Sequence, residues 1–245
     1  MKILGIIPAR AGSKGIPNKN IVNLAGKPLI AYTIYAAKKS KLITNLLVST
    51  DSKKIAEVAK RYGADVPFLR PKKLAKDKSP MVPVVQHAIN FLEKKNKEIF
   101  DYIVLLQPTS PLKTTQDIDS AIKMLIKTNA DNVYSVTRLT QNTYHPLRIK
   151  KIEKNNNVMP FCSQSEVEGV QRQSLPVVYR RNGAIFAFSR DLIMNKNSIF
   201  GTPQGDTRAF IMPPERSIDI DSEFDLILAE YIISKNISAI NGHGK

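Results

Sequence analysis

A chain of 245 residues, 42% hydrophobic and 24% charged, carries enough apolar material for one elaborated domain and excludes a disordered or fibrous polymer. Its single cysteine, Cys162, excludes an internal disulfide and a zinc site of the C-x-x-C kind. There is no signal-peptide core and no long apolar run, so a cytoplasmic protein without a membrane partner is expected. The 37 basic and 21 acidic residues give +16, yet only 11 of the bases are arginine. Lysine pairs such as Lys38-Lys39 and Lys94-Lys95 are scattered without interleaved aromatics, a pattern of solvated faces rather than of a nucleic-acid surface.

In chain order, Ile3 to Ile7, Leu46 to Ser49 and Tyr102 to Leu106 are short apolar runs bounded by turn signals, as buried parallel strands require. Helices are expected between and after them. Leu29, Tyr32, Thr33 and Ala36 keep helical spacing after Pro28, which suits a first helical position. Ile55, Val58, Ala59 and Tyr62 repeat that spacing before a stop at Gly63, and further helices are marked by Val82, Val85, Ile89 and Leu92 and by Ile118, Ala121, Ile122 and Leu125. This alternation predicts an α/β fold, Rossmann-like, with a mostly parallel sheet and helices on both faces. From about 137 to 181 the rhythm breaks into polar, Asn-rich sequence, which reads as an insertion forming a small β-rich lobe or a dimerisation arm. Regular structure resumes at Gly183 to Phe188, passes through Ala209 to Met212, and ends in a helix bearing Phe224, Ile227, Leu228 and Tyr231.

Four segments carry chemistry. The loop after the first strand holds Arg10, Lys14 and Lys19 with Gly12 and Gly15. At the carboxyl edge of a parallel sheet, such a loop offers backbone N–H groups and three cations to a triphosphate, although it matches neither the dinucleotide nor the P-loop fingerprint. In Ser217-Ile218-Asp219-Ile220-Asp221, extended backbone turns both aspartates to one face and both isoleucines to the core. Two convergent carboxylates suit Mg²⁺; the same segment also reads as a helix start, with Ser222 and Asp225 spaced as a capping box. Arg172 presents a fork for a carboxylate or phosphate, or a surface ion pair, and Arg70 stands either at a base or ribose or in a surface loop. Gln107 ends the third strand at a rigid Pro-Thr-Ser-Pro turn, where its amide meets a sugar or base or simply serves the turn. His87, His145 and His243 have no metal-site spacing, and no local signature of a covalent nucleophile is present.

Taken in order, these segments resemble the acylneuraminate cytidylyltransferase family, the CMP-sialic acid synthetases and related CMP-nonulosonic acid synthetases. The matching stretches are Ile7 to Asn20, Val48 to Asp51, Leu69 to Pro71, Leu105 to Leu112, Arg172-Gln173, Asn182 to Ile185 and Ser217 to Asp221. The resemblance implies one nucleotidyltransferase domain over 1–245 that couples CTP to a nine-carbon nonulosonic acid, releasing pyrophosphate, with Mg²⁺ as cofactor and a homodimer as the working unit. It assigns Arg10 and Lys19 to the CTP phosphates, with Lys14 beside them; Ala9, Asn20, Arg70 and Ser79 to the nucleotide pocket; and Gln107 to the junction of nucleotide and sugar. It places Arg172 on the sugar carboxylate, Arg148 and Phe186 on the sugar side, and Asp219 and Asp221 on the metal. Two positions depart from the sialic acid pattern: Met81 stands where some members carry a hydroxyl, and Arg148 where lysine is frequent. A guanidinium does not reproduce the geometry of an ammonium, so legionaminic and pseudaminic acids join sialic acid as candidate acceptors. A synthetase for a shorter keto-deoxy sugar is the nearer rival, and a basic nucleic-acid-binding module the distant one.

Overall fold

The computed structural model describes residues 1–13, 15–139, 144–162 and 175–241. Its main sheet takes β1 (Ile3–Pro8), β4 (Asn45–Ser49), β5 (Tyr102–Leu106), β6 (Asn132–Arg138), β9 (Tyr179–Ser189) and β10 (Thr207–Met212) in the order β10-β6-β9-β5-β1-β4. β1 pairs parallel with β4 and β5, and β10 with β6; β9 alone runs antiparallel, to both β5 and β6. The expected mostly parallel α/β sheet is present.

Why these strands are apolar throughout follows from their two covered faces. Side chains alternate along a strand: Ile3 and Ile7 of β1, with Val104 and Leu106 of β5, belong to one core, whereas Leu4, Ile6, Ile103 and Leu105 belong to another. The first core is closed by α1 (Leu29–Lys38), α2 (Lys53–Arg61) and α4 (Thr115–Thr128), the second by α3 (Met81–Asn96) and α5 (Arg190–Met194). Thr114 caps α4, taking the N–H of Asp117 while the Asp117 carboxylate returns to the Thr114 N–H. Gly63 closes the turn after α2 at φ 84°. Pro28 sits one position earlier than expected: it ends the short β3 (Lys27–Pro28), which pairs with β2 (Asn23–Leu24), and serves as the N-cap of α1.

Between β6 and β9 the chain forms a separate pair of strands, β7 (Lys150–Ile152) and β8 (Val158–Pro160), antiparallel, with one 3₁₀ turn before β7 and another between the two strands. The last helix, α6 (Glu223–Asn241), departs from expectation in its orientation. Phe224, Ile227 and Tyr231 are exposed, and the face that packs against the third core carries Leu226, Ala229, Ile232 and Ile233. Among the described residues no helix is long and apolar enough to cross a membrane.

Because β1 and β5 are parallel, the loops following Pro8 and Leu106 leave from one edge of the sheet. β9 runs the opposite way and pairs Ile185 with Leu106, so its Asn182-Gly183 step lies at that same edge.

Candidate active site

A cleft of about 470 Å³ opens at this edge. Arg10, Lys19, Asn20, Arg70, Gln107, Asp219 and Asp221 all line it, and so does Met81. Basic groups from the first loop therefore face acidic groups from a segment some two hundred positions later: Lys19 Nζ donates to Asp221 Oδ1 at 2.8 Å and to the Ile220 carbonyl at 2.7 Å.

The first loop is held by its own polar groups. Asp51 accepts from the Ala11 N–H at 2.9 Å, and the buried Asn20 amide donates to the Arg10 carbonyl at 2.9 Å. The Arg10 guanidinium pairs with Asp77 at the mouth of the cleft. Gly15 is required by closeness rather than by turn geometry, since a Cβ there would stand 2.4 Å from the Asp221 carbonyl oxygen. Arg70, 5% exposed, bonds through Nε to Ser49 Oγ at 3.1 Å and through Nη2 to the Ser49 carbonyl. Burial pulls its guanidinium down to about 10, against Asp51, which opposes the shift, and with Arg10 adding to it; at neutral pH it remains a cation.

The acidic wall is an extended strap from Ser217 to Asp221. Ile218 and Ile220 are buried in the third core while Asp219 and Asp221 line the cleft, the alternation that the sequence pattern predicts. Besides its bonds from Lys19, three contacts help to fix the strap and the residue before it. The Ile220 N–H donates to the Thr109 carbonyl at 2.7 Å; Asn182 Nδ2 donates to Ser217 Oγ at 2.9 Å; and Arg216 grips Asp117 with two bonds of 3.0 and 2.9 Å. Capping of α6 falls to Ser222 and Asp225: Asp225 Oδ2 accepts from the Ser222 N–H at 2.8 Å. That arrangement leaves the Asp221 side chain to the cleft. Burial raises the Asp219 carboxyl above the usual range, opposed by a hydrogen bond from Thr109; Asp221 adds to the rise, while Lys19 and Lys113 counter it. An acid whose anion is disfavoured by burial and by a neighbouring carboxylate is poised to gain from a cation.

The donor set fits magnesium. No cluster of three or more His, Cys, Asp or Glu side chains stands together among the described residues, so a metal here would be held by two hard carboxylates and completed by water and phosphate oxygens, the composition Mg²⁺ accepts.

Several expected contacts lie elsewhere. Phe186 is 2% exposed in the second core, against Tyr134 and Phe200, because β9 is covered on both faces; it does not line the cleft. The Ala9 side chain is likewise in the core, its N–H bonded to the Ser49 carbonyl at 2.9 Å. Ser79 turns back to its own loop, donating to the Lys73 carbonyl at 3.3 Å. Arg148 ends a 3₁₀ turn in the lobe and is not part of the cleft wall of its own chain. Lys14 and Arg172 lie outside the described residues.

The structure also adds residues that sequence reasoning did not single out. Gly183, at φ 74°, would bring a Cβ within 3.1 Å of Asp219 Oδ2, so the backbone closes directly beneath the carboxylate; a glycine at the head of an apolar strand run was the available signal. Lys113, 3% exposed, sits under the Gln107–Ser110 turn, its ammonium pushed by burial down to about 7 against Asp219 and Asp117. Beside Gln107 and Met81 a second, largely apolar cavity of about 300 Å³ is lined by Val82, Ile199 and Phe200; spacing marks Val82 only as a helix position and does not mark Ile199 or Phe200.

Comparison with known proteins agrees with this geometry. A family model described as cytidylyltransferase matches residues 4–232. The chain is 36% identical to the CMP-N,N'-diacetyllegionaminic acid synthase of Legionella pneumophila, over 98% of this chain and 100% of that one. It is 33% identical to the pseudaminic acid cytidylyltransferase of Campylobacter jejuni, over 96% and 98%. The solved structure of a CMP:2-keto-3-deoxy-manno-octonic acid synthetase complexed with CTP shares the fold at a TM-score of 0.69, with 16% identity over 96% of this chain and 100% of that one. On this sequence agreement, which spans nearly its whole length, the chain belongs to the cytidylyltransferase family of nucleotidyltransferases.

Proposed function

We propose that this enzyme transfers the cytidylyl group of CTP to the anomeric hydroxyl of a nonulosonic acid of the legionaminic, pseudaminic or sialic type, giving the CMP-sugar and pyrophosphate. The observation that carries the reading is the single cleft in which Arg10, Lys19 and Arg70 face Asp219 and Asp221 across Gln107, in a chain 36% identical to a CMP-legionaminic acid synthase. Substitution at phosphorus asks for positioning and charge neutralisation rather than a covalent nucleophile. Lys19, already bridging to Asp221, and Arg10, once released from Asp77, neutralise the triphosphate and the departing pyrophosphate. Asp219 and Asp221 hold Mg²⁺, which when bound offsets phosphate charge and polarises the reacting phosphorus.

Gln107 orients the acceptor, and the apolar cavity at Met81, Ile199 and Phe200 suits an acyl substituent on the sugar better than a phosphate. Arg172 takes the sugar carboxylate. The enzyme works as a cytoplasmic homodimer in which the lobe meets the partner: Ile152, Val158 and Phe161 of the lobe and Phe224, Ile227 and Tyr231 of α6 are exposed and available to it. A contribution of Arg148 across that interface accounts for its distance from the cleft of its own chain.

The test is incubation of the purified protein and Mg²⁺ with each nucleoside triphosphate and a panel of legionaminic, pseudaminic, N-acylneuraminic and 2-keto-3-deoxy-octonic acids, with products weighed by mass spectrometry. A CMP conjugate of a nine-carbon acid is the expected outcome. A conjugate of the eight-carbon acid alone, or none with CTP, would overturn the assignment.

A further inference from the structure

Lys113 is an ionisable side chain taken almost wholly out of water, and no part of it lines the cleft. An ammonium has three hydrogens to donate. Those of Lys113 meet three oxygens: Thr33 Oγ1 on α1 at 3.0 Å, the Gln107 carbonyl at 2.8 Å and the Ser110 carbonyl at 2.5 Å. With every donor engaged, none remains for a ligand, so Lys113 acts through the loop it holds.

That loop links the two halves of the site. Gln107 opens it and faces the cleft. Thr109 takes the Ile220 N–H on its carbonyl, one position beyond Asp219. Ser110 Oγ donates to the Asn182 carbonyl at 3.2 Å and lies 3.5 Å from Asp219 Oδ1. Desolvating an ammonium is costly, and an apolar side chain of similar length would fill the space without that cost. What the Lys113 nitrogen adds through its hydrogen bonds is a fixed spacing between Gln107 and Ser110, with the turn anchored to α1.

We infer that Lys113 is a positioning residue that sets Gln107 and Asp219 relative to one another through the Gln107–Ser110 turn, so that acceptor placement and the metal-binding carboxylate are aligned by one buried side chain. The inference rests on the cytidylyltransferase reading for its kinetic half and on the hydrogen-bond geometry for its structural half.

Lys113→Met keeps most of the volume and removes all three bonds. In the full chain, with CTP, Mg²⁺ and the best acceptor of the panel, kcat is expected to fall and the acceptor KM to rise by about tenfold each, while the CTP KM, set by Arg10, Lys19 and Arg70, moves by less than about threefold. Native-state hydrogen exchange on the same protein should show the Ile220 amide exchanging at least roughly tenfold faster while Ile89 in α3 keeps its protection. Thr33→Val, which removes only the far anchor, should shift the same quantities the same way but less, and it decides the matter if Lys113→Met does not fold. Equal changes in both KM values, unchanged kinetics in a folded variant, or unaltered exchange at Ile220 would each overturn the inference. If the wild-type chain makes no CMP conjugate, it is the functional reading that fails, and the Ile220 exchange still decides whether Lys113 fixes the turn.

Discussion

In the cleft, the groups that hold Arg10, Gln107 and Asp219 in place are buried: Asn20, Ser110, Lys113, Asn182 and Ser217 are all under 10% exposed, and each has bonded partners. In the lobe between β6 and β9, every residue of β7 is exposed and the strand pair has only three rungs. A polar network sealed from water has one low-energy arrangement, whereas a two-stranded ribbon is marginal without something packed on it. The difference separates two tasks. Under the proposed function, the steps common to any cytidylyl transfer would sit on the sheet edge, and the lobe would be free to vary with the acceptor.

The sharpest attempt to break this division is Asp219→Asn or Asp221→Asn. Each is expected to lower turnover by about a thousandfold while moving the melting temperature by only a few degrees, as thermal denaturation alongside the rate assay would show. Near-normal rates in both variants would remove the chemistry from this edge.

Next in size is Arg216→Met, which leaves the buried Asp117 carboxylate without its fork; because the arginine is itself 40% exposed, the expected loss is about 2 kcal/mol rather than the full cost of a buried pair. It has a pH signature. Burial works to raise the Asp117 carboxyl, but hydrogen bonds from Arg216 and Thr114 prevail and its folded value is lowered. A lowered acid stabilises the fold above its unfolded value of about 3.9, and that contribution is lost as pH falls through the folded value. Denaturant melts from pH 6 downward should show a shallower acid decline in the variant than in the wild type.

On the lobe, Arg148→Ala is expected to raise the acceptor KM by about tenfold with CTP KM and melting temperature unchanged; a matching change in CTP KM would erase the division drawn here. The smallest effect on the folded chain belongs to Ile227→Ser. At this exposed helix position it should alter stability by less than about 0.5 kcal/mol yet weaken self-association, read by sedimentation velocity across a dilution series.

Much of this was legible in the sequence because it depends on short-range periodicity. The strands at 3–8, 45–49 and 102–106 and the four helices that follow them stand where apolar spacing puts them, and the alternation through Ser217 to Asp221 turned the right side chains to the cleft. What periodicity does not carry is which partner covers a face. The apolar stripe of α6 at Phe224, Ile227 and Tyr231 is regular, yet it faces outward. Phe186 illustrates the reverse: its continuous apolar run signals a strand buried on both sides, which outweighs the sugar contact drawn from resemblance. The Lys113 bond to Thr33 of α1 and the bond from Asn182 of β9 to Ser217 join elements far apart in the chain, and such pairings exist only once the sheet has brought those elements together.

Lys19 and Ile220, joined by one hydrogen bond, are 201 positions apart in the chain. At a synthesis rate of about 5–20 residues per second, roughly 10–40 seconds separate their appearance during translation. A nascent chain that has completed β1 through β9 can assemble the centre of the sheet on the ribosome while Lys19 still lacks the strap that completes the cleft.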